Sequence, residues 1–308
     1  WPKNPQVLFS AITTGDKSMD DEELSLLNEF SEILQSEVYV DLDRLRNAAR
    51  HGIPAQVRGD VWQYLLGVQH ADRSKELSFS KARAEDYKAL EHTDNESSKR
   101  LKGEMGRYAR RVNFFSSKEN CATLEHVVTA YLNNNREVDY YPALISVCAP
   151  FVITVKEECD AYYCFERLMK LLDEHFATNS INEQVANFMT LFRCILPDLY
   201  NYFEEEEVDL NEWVTSWLQY LLAKELTFDN LVRLWDTYFS YPDPMDLHPY
   251  VCLAILRTTK ENLEDLEQSE IRTMLMRLPN LDITRIIAQA QNLRHETMER
   301  QLYEDGAL

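Results

Sequence analysis

A short basic stretch, KRLKGEMGRYARR at residues 99–111, interrupts an acidic sequence. It holds six basic residues and one acidic residue, whereas the whole chain of 308 residues carries a formal net charge of −20. Arginine presents a planar fork of donors that fits the oxygens of phosphate groups. Two interpretations are open on this basis: the stretch is a solvated helix face, or it is a site for a polyanion.

A second stretch, DYYPALISVCAPF at residues 139–151, places three reactive side chains in an apolar run. They are Asp139, Ser146 and Cys148. Pro142 suits the first turn of a helix, where its missing N–H would have no helical partner in any case. We interpret the stretch as the start of a buried helix in which Ser146 and Cys148 are packing residues.

Sequence signatures of catalysis and metal binding are missing. The chain has no H-E-x-x-H, D-D-x-x-D or G-x-S-x-G motif, which argues against helical metalloenzymes and hydrolases. None of its seven glycines lies between Arg107 and Asp305, so no glycine-rich loop can hold phosphate there. The scattered histidines are interpreted as surface or capping residues, and no metal is expected. The net charge argues against nucleic acid as the main partner.

Composition predicts a large hydrophobic core, in one big domain or two packed lobes, because 45% of the residues are hydrophobic. Six cysteines without a C-x-x-C pair are typical of reduced core thiols, which favours a cytoplasmic location. The longest apolar run, residues 143–155, is too short to cross a bilayer and contains Pro150. We therefore expect no integral membrane segment.

Apolar residues recur with helical spacing, and no segment alternates as a strand does. Ser180 and Glu183 have the spacing of a capping box, and Asp282 precedes another apolar run, so both sites mark predicted helix starts. The pattern predicts an all-α fold with a boundary near residues 178–180. The clearest stripes are Leu124, Val127, Val128, Tyr131 and Leu132; Phe165, Leu168, Met169, Leu172 and Phe176; and Phe188, Leu191, Phe192 and Ile195.

Four motifs in a fixed order resemble the TBC domain, the helical module of Rab GTPase-activating proteins. The first is HGIPAQVRGDVWQYLLG, which begins at residue 51 and has Arg58 and Trp62 on its R-x-x-x-W positions. LISVCAPF, DAYYCF and WLQYLLAKELTFDNLVRLWD follow it in the order that the family shows. The resemblance runs from about residue 48 to residue 300.

The resemblance implies a two-lobed, multi-helix TBC fold. Its parts would be an N-terminal arm with leading helices at residues 1–47, a finger-bearing N-terminal lobe at 48–178 and a C-terminal lobe at 179–308. The implied partner is a Rab-type small GTPase, to which GTP and magnesium belong, so this chain would bind no cofactor. It would act as a GTPase activator rather than as an enzyme itself, in the cytoplasm or recruited to membranes through partners.

The family's mechanism implies two residues inserted into the GTPase. An arginine from I-x-x-D-x-x-R neutralises charge on the transferred phosphoryl group, and a glutamine from Y-x-Q orients the attacking water. In this chain LKGEMGR puts Leu101, Glu104 and Arg107 on the three named positions of the first motif, so Arg107 is the expected arginine finger. Glu104 keeps the carboxylate but lengthens it by one methylene. Arg110 and Arg111 remain alternative fingers.

The glutamine finger is missing from the second motif. DYYPAL falls where the family has G-Y-x-Q-G-M, so Tyr140 takes the tyrosine position, Pro142 the glutamine position and Ala143 the following glycine. Proline has no side-chain donor or acceptor and cannot orient water. The stretch thus keeps the family's buried helix start without its second finger.

Three hypotheses about function stay open. In the first, the protein binds a GTP-loaded Rab-type GTPase and uses Arg107 to stimulate hydrolysis, with water positioned by the GTPase. In the second, it is a pseudo-GAP, a helical adaptor without catalytic effect. In the third, it is a helical scaffold unrelated to GTPases. For the first two we expect a groove lined by Arg58, Arg107 and Tyr140, with Trp62 as a supporting core residue.

Overall fold

The computed structural model describes residues 21–90 and 98–305 of the chain, and these form fifteen α-helices, one 3₁₀ turn at Asn113–Ser116 and no strand. The all-α prediction is confirmed. The helices are α1 Asp21–Leu34, α2 Leu42–Ala49, α3 Arg58–Leu65, α4 Arg73–Ala89, α5 Ser98–Tyr108, α6 Lys118–Asn134, α7 Ala143–Thr154, α8 Glu158–Thr178, α9 Ile181–Ile195, α10 Pro197–Glu205, α11 Leu210–Gln219, α12 Phe228–Ser240, α13 His248–Leu263, α14 Gln268–Met276 and α15 Ile283–Asp305.

Local capping signals explain where several helices begin. At the start of α9 the Ser180 amide donates to the Glu183 carboxylate at 2.8 Å, and the Glu183 amide donates to Ser180 Oγ at 3.4 Å. This reciprocal pair is the predicted capping box, and it satisfies two amides that would otherwise lack a helical acceptor. Asp282 accepts a hydrogen bond from the Arg285 amide at 3.1 Å, which fits its predicted place before α15.

One hydrophobic core runs through both halves of the chain. Trp62 of α3 packs edge-on against Phe151 of α7, with ring centroids 5.6 Å apart, and Phe151 also contacts Trp235 of α12 at 5.7 Å. The three predicted stripes lie in this core, with Phe176, Leu191 and Ile195 as their partly buried members. Large aromatic side chains thus join helices that are distant in sequence.

The predicted lobe limits coincide only in part with helix ends. Asn179 separates α8 from α9, so the limit at residues 178–179 falls between two helices. The limit between residues 47 and 48, in contrast, falls inside α2. The first twenty residues of the predicted arm lie outside the described ranges. The division into two lobes at these limits stays a prediction.

The apolar run after Pro142 forms α7, and all residues from 143 to 152 are buried. Pro150 lies inside this helix, where it removes one backbone donor, and Thr154 Oγ1 donates to its carbonyl at 2.7 Å. Throughout the two described ranges, no helix combines the length and the apolar character that spanning a membrane requires.

Candidate functional site

The basic stretch forms α5 and the turn after it. Leu101, Met105 and Tyr108 are buried, at positions i, i+4 and i+7, and they pack this helix against α6 and α7. The basic side chains between them therefore lie on the outer side. Arg107 is in the last turn of α5, between the buried residues Met105 and Tyr108.

Arg107 and Glu104 form an ion pair on the surface of α5. Arg107 Nε donates to Glu104 Oε2 at 3.0 Å, and Nη2 donates to the same oxygen. The Arg107 and Glu104 side chains are 65% and 24% exposed. The hydrogen bond to Glu104 raises the pKa of Arg107 above its usual value. Glu104 thus holds the guanidinium at the surface of α5. An exposed pair three residues apart contributes little to stability, so the guanidinium can change partners readily.

Tyr140 lies beside this pair. Burial raises the pKa of Tyr140, and Glu104, Arg107 and Arg100 are the charged groups near enough to affect that pKa as well. Its hydroxyl is buried, and the described residues offer it no hydrogen-bond partner. The structure therefore brings together three of the residues predicted from sequence.

Pro142 occupies the position immediately before α7. It is exposed, and its backbone already has helical angles, φ −59° and ψ −30°. The next residue, Ala143, is 3% exposed, so little room surrounds the position of the family's glycine. Position 142 thus faces solvent at the start of a helix but carries no side-chain group that can bind water.

The two alternative fingers have different partners. Arg110 Nε donates to the Gly106 carbonyl of its own helix at 3.1 Å. Arg111 Nη2 donates to the Lys224 carbonyl at 3.1 Å and so connects the end of the basic stretch with the C-terminal half. Both side chains are exposed. Among the described residues, neither has a carboxylate partner as Arg107 does, so Arg107 stays the better candidate.

Arg58 and Trp62 belong to a different, buried cluster around Asp236 of α12. Arg58 Nε donates to Asp236 Oδ1 at 3.0 Å, Trp62 Nε1 donates to the same oxygen at 2.8 Å, and the Ile53 amide donates to Oδ2 at 3.0 Å. Arg58 Nη2 also donates to the Ile53 carbonyl at 2.6 Å. These contacts join the first recognised motif to the last residue of the fourth.

Burial raises the pKa of Asp236 to about 6, against the lowering effects of Arg58 and the other donors. The carboxylate is therefore ionised at neutral pH and paired inside the core. Asp236 was not predicted to have a role. The available signal was its place at the end of WLQYLLAKELTFDNLVRLWD, but its partner Arg58 is 178 residues away in sequence.

The expectation that Arg58 lines one groove with Arg107 and Tyr140 needs correction. Gly59, next to Arg58, packs so closely on the Thr154 carbonyl that a Cβ at Gly59 would lie 2.1 Å from that oxygen. Thr154 ends α7, whereas Tyr140 precedes its start, and a helix of 12 residues is about 18 Å long. Arg58 and Trp62 therefore support the fold at the far end of α7.

Within residues 21–90 and 98–305, no group of three or more His, Cys, Asp and Glu residues is arranged to hold a metal ion. All six cysteines are free thiols, and burial raises the pKa of Cys148 well above its usual value. Ser146 and Cys148 are both buried in α7, in agreement with their interpretation as packing residues.

Comparisons with known proteins agree on one family. The sequence profile of the Rab-GTPase-TBC domain matches residues 55–264. The GTPase-activating protein gyp1 of Schizosaccharomyces pombe is 24% identical over 298 residues, which cover 84% of this chain and 58% of that protein. TBC1 domain family member 22B of Homo sapiens is 23% identical over 325 residues, which cover 92% of this chain and 64% of that protein. The chain thus spans roughly three fifths of these relatives.

Two solved structures share the fold. The crystal structure of the Ypt/Rab-GAP domain of Gyp1p has a TM-score of 0.76 and 20% sequence identity, and the match covers 89% of this chain and 99% of that one. The Chlamydomonas flagellar RabGAP TBC domain has a TM-score of 0.68 and 19% identity, and the match covers 88% of this chain and 91% of that one.

Proposed function

Because the chain belongs to the Rab-GTPase-TBC domain family, we propose that it binds the GTP-loaded form of a Rab-type small GTPase and stimulates GTP hydrolysis through Arg107. The observation that carries the proposal is the exposed Arg107 guanidinium, held by Glu104 on a helix whose other face is buried. A guanidinium placed on the transferred phosphoryl group stabilises charge that develops in the transition state.

GTP and magnesium belong to the GTPase in this proposal, so the chain contributes groups rather than a cofactor. It acts as an activator of the GTPase rather than as an enzyme itself, and it binds no nucleotide. We further propose that it acts in the cytoplasm and reaches membranes through its partners, since regulation of Rab-type GTPases concerns vesicle traffic.

Water positioning distinguishes this chain from a two-finger activator. Pro142 has no side-chain group that can orient a water molecule, so the GTPase must use its own switch glutamine. Arg107 would then act as the single group supplied in trans. An activator with its own glutamine can act on a GTPase whose switch glutamine is replaced by leucine, whereas this protein should not.

A panel assay tests the proposal. Single-turnover GTP hydrolysis by a set of Rab-type GTPases should accelerate for at least one member when the protein is added. The leucine variant of that same GTPase should still bind the protein in its GTP form but show no acceleration. Acceleration of the leucine variant would refute the single-finger mechanism.

The second candidate function is that of a pseudo-GAP adaptor. The observation in its favour is position 142, where proline and the buried Ala143 replace the glutamine and glycine of the family motif. In that case the protein binds a GTP-loaded GTPase and accelerates hydrolysis by none of the panel. Binding without any acceleration therefore selects the adaptor, and binding to neither nucleotide state rejects both candidates.

A further inference from the structure

A strained segment lies between α11 and α12, at residues 220–226. Leu221 has φ 50° and Leu222 has φ 62°, which is the left-handed region that residues other than glycine seldom adopt. Two consecutive leucines in this region persist only when the surrounding structure holds them there, and such strain concentrates at functional positions. The function of this segment was not apparent from the sequence.

The 220–226 segment is fixed to the core on several sides. Trp235 Nε1 donates to the Leu221 carbonyl at 3.2 Å, and the Leu278 amide donates to the Glu225 carbonyl at 3.1 Å. Ser216 Oγ donates to Glu225 Oε1 at 2.6 Å, and the Glu225 side chain is buried. A segment held in this way provides a rigid support for whatever contacts its outer side.

Residues near Arg107 and next to Pro142 both contact the 220–226 segment. Arg111, four residues after Arg107, donates from Nη2 to the Lys224 carbonyl at 3.1 Å. Tyr141, beside the missing glutamine position, stacks on Tyr220 with ring centroids 5.5 Å apart and an interplanar angle of 25°. The end of α5 and the start of α7 are thus tied to the same short segment of the C-terminal half.

We infer that Arg111 is a positioning residue, which fixes the end of α5 against the 220–226 segment and thereby sets where Arg107 enters the GTPase. Helix ends fray unless something holds them, and Arg107 is in the last turn of α5. This inference rests on the proposed function for its consequence in catalysis, but the contact itself can be tested in the free protein.

Arg110 provides a matched control. It is adjacent to Arg111, carries the same charge and is exposed as well, but its guanidinium bonds to Gly106 of the same helix. Replacing either arginine by alanine changes the charge of the surface equally. Only the Arg111→Ala change removes a bond to the C-terminal half.

Hydrogen exchange of the free protein tests the contact without any GTPase. In Arg111→Ala, the backbone amides of residues 101–108 should exchange about threefold faster than in the wild type, because the end of α5 opens more often. In Arg110→Ala, which removes only a bond within α5, the same amides should exchange more slowly than in Arg111→Ala. Equal exchange in the two variants would overturn the positioning role of Arg111 whatever the protein does to GTPases.

Kinetics then separate positioning from direct contact with the GTPase. With a responsive GTPase, Arg111→Ala should lower the hydrolysis rate at saturating protein by about 10- to 100-fold, the cost of a misplaced catalytic group, and leave the Kd unchanged. Arg111→Lys should restore most of the rate, because an ammonium can also donate to the Lys224 carbonyl. Arg110→Ala, which leaves the bond to Lys224 in place, should lower the rate less than Arg111→Ala does.

Each other outcome contradicts the inference. An increased Kd with an unchanged saturating rate would show that Arg111 binds the GTPase directly. Complete loss in both Arg111→Ala and Arg111→Lys would make Arg111 the finger itself, since lysine cannot reproduce the planar guanidinium. If no GTPase responds to the wild type, the proposed function fails, and hydrogen exchange still decides on the contact.

Discussion

Two arginine–carboxylate pairs in this molecule have the same chemistry and opposite surroundings. Arg58 and Asp236 are 14% and 0% exposed and come from helices that are distant in sequence. Arg107 and Glu104 are 65% and 24% exposed and lie three residues apart on one helix. Both use a bond from the arginine Nε at 3.0 Å. The difference between them is therefore burial and connectivity, not bond geometry.

Burial decides what each pair can do. Asp236 receives three kinds of donor inside the core, so neither partner of its pair can leave without stranding a charge. Arg107 is open to solvent, and water replaces Glu104 at little cost if the guanidinium turns towards a phosphate. A structural arginine and a mobile one can thus be told apart by what happens when the pair is broken.

The largest expected effect concerns Arg107. Arg107→Ala should reduce stimulated hydrolysis by about 10³- to 10⁵-fold, the usual contribution of an arginine finger. Its unfolding midpoint in urea should remain that of the wild type, because the side chain is exposed. Measured with a responsive GTPase, a loss of stability without a loss of rate would show that the two pairs have been assigned the wrong way round.

The buried pair should give the converse result. Asp236→Ala should lower the free energy of unfolding by about 3 to 5 kcal/mol, because it leaves the Arg58 charge unpaired in the core. Urea denaturation measures this change. Asp229→Ala is a matched control, since Asp229 is an exposed aspartate in the first turn of the same helix and should cost less than about 1 kcal/mol. Similar values for both variants would contradict the comparison.

A buried histidine makes the stability of the core depend on pH. Tyr238 and the Trp217 carbonyl lie 2.7 and 2.8 Å from the two ring nitrogens of His248, which suits the neutral ring with one acceptor and one donor nitrogen. Burial lowers its pKa to about 4 from an ordinary value of 6.5. The unfolded chain therefore takes up the proton first on acidification, and stability falls as pH drops below 6.5.

The titration of Asp236 changes stability in the direction opposite to that of His248, so replacing His248 tests the direction of its contribution. Its pKa of about 6 in the folded protein exceeds the ordinary 3.8, so the folded state takes up that proton first and gains stability as pH falls through 6. Between pH 7 and pH 5 the His248 loss is about 2 kcal/mol and the Asp236 gain about 1 kcal/mol. Between pH 7 and pH 5, His248→Gln should therefore lose about 2 kcal/mol less stability than the wild type, as measured by urea unfolding. An unchanged pH profile would contradict the buried neutral histidine.

The parts of the fold that could be predicted from sequence are those with local causes. The Ser180 and Glu183 capping box and the apolar stripes of α6, α8 and α9 arise from residues three or four positions apart, and the structure confirms them. Leu101, Glu104 and Arg107 likewise lie on one helix, and the resemblance to the family motif placed a carboxylate three residues before an arginine there.

The parts that could not be predicted depend on distant residues. The expectation that Arg58 lines the groove missed its contact with Asp236, because that partner is 178 residues away and nothing near Arg58 in the sequence indicates it. Leu221 and Leu222 adopt left-handed backbone without a glycine or asparagine to signal it. In both cases tertiary packing, rather than local preference, determines the conformation.

The smallest expected effect concerns Glu104, and it tests how the exposed pair works. Glu104→Ala should lower the stimulated rate about tenfold at saturating protein, because Arg107 loses the group that orients it, while stability stays nearly the same. Glu104→Gln keeps an acceptor oxygen and should lose less. Glu125→Ala is a suitable control. Glu125 is on α6 and pairs at 3.1 Å with Lys102 of α5, the helix that carries Arg107, but it does not contact Arg107. If Glu104 instead restrains Arg107 in a resting position, its removal would increase the rate, and the single-turnover assay would show that increase directly.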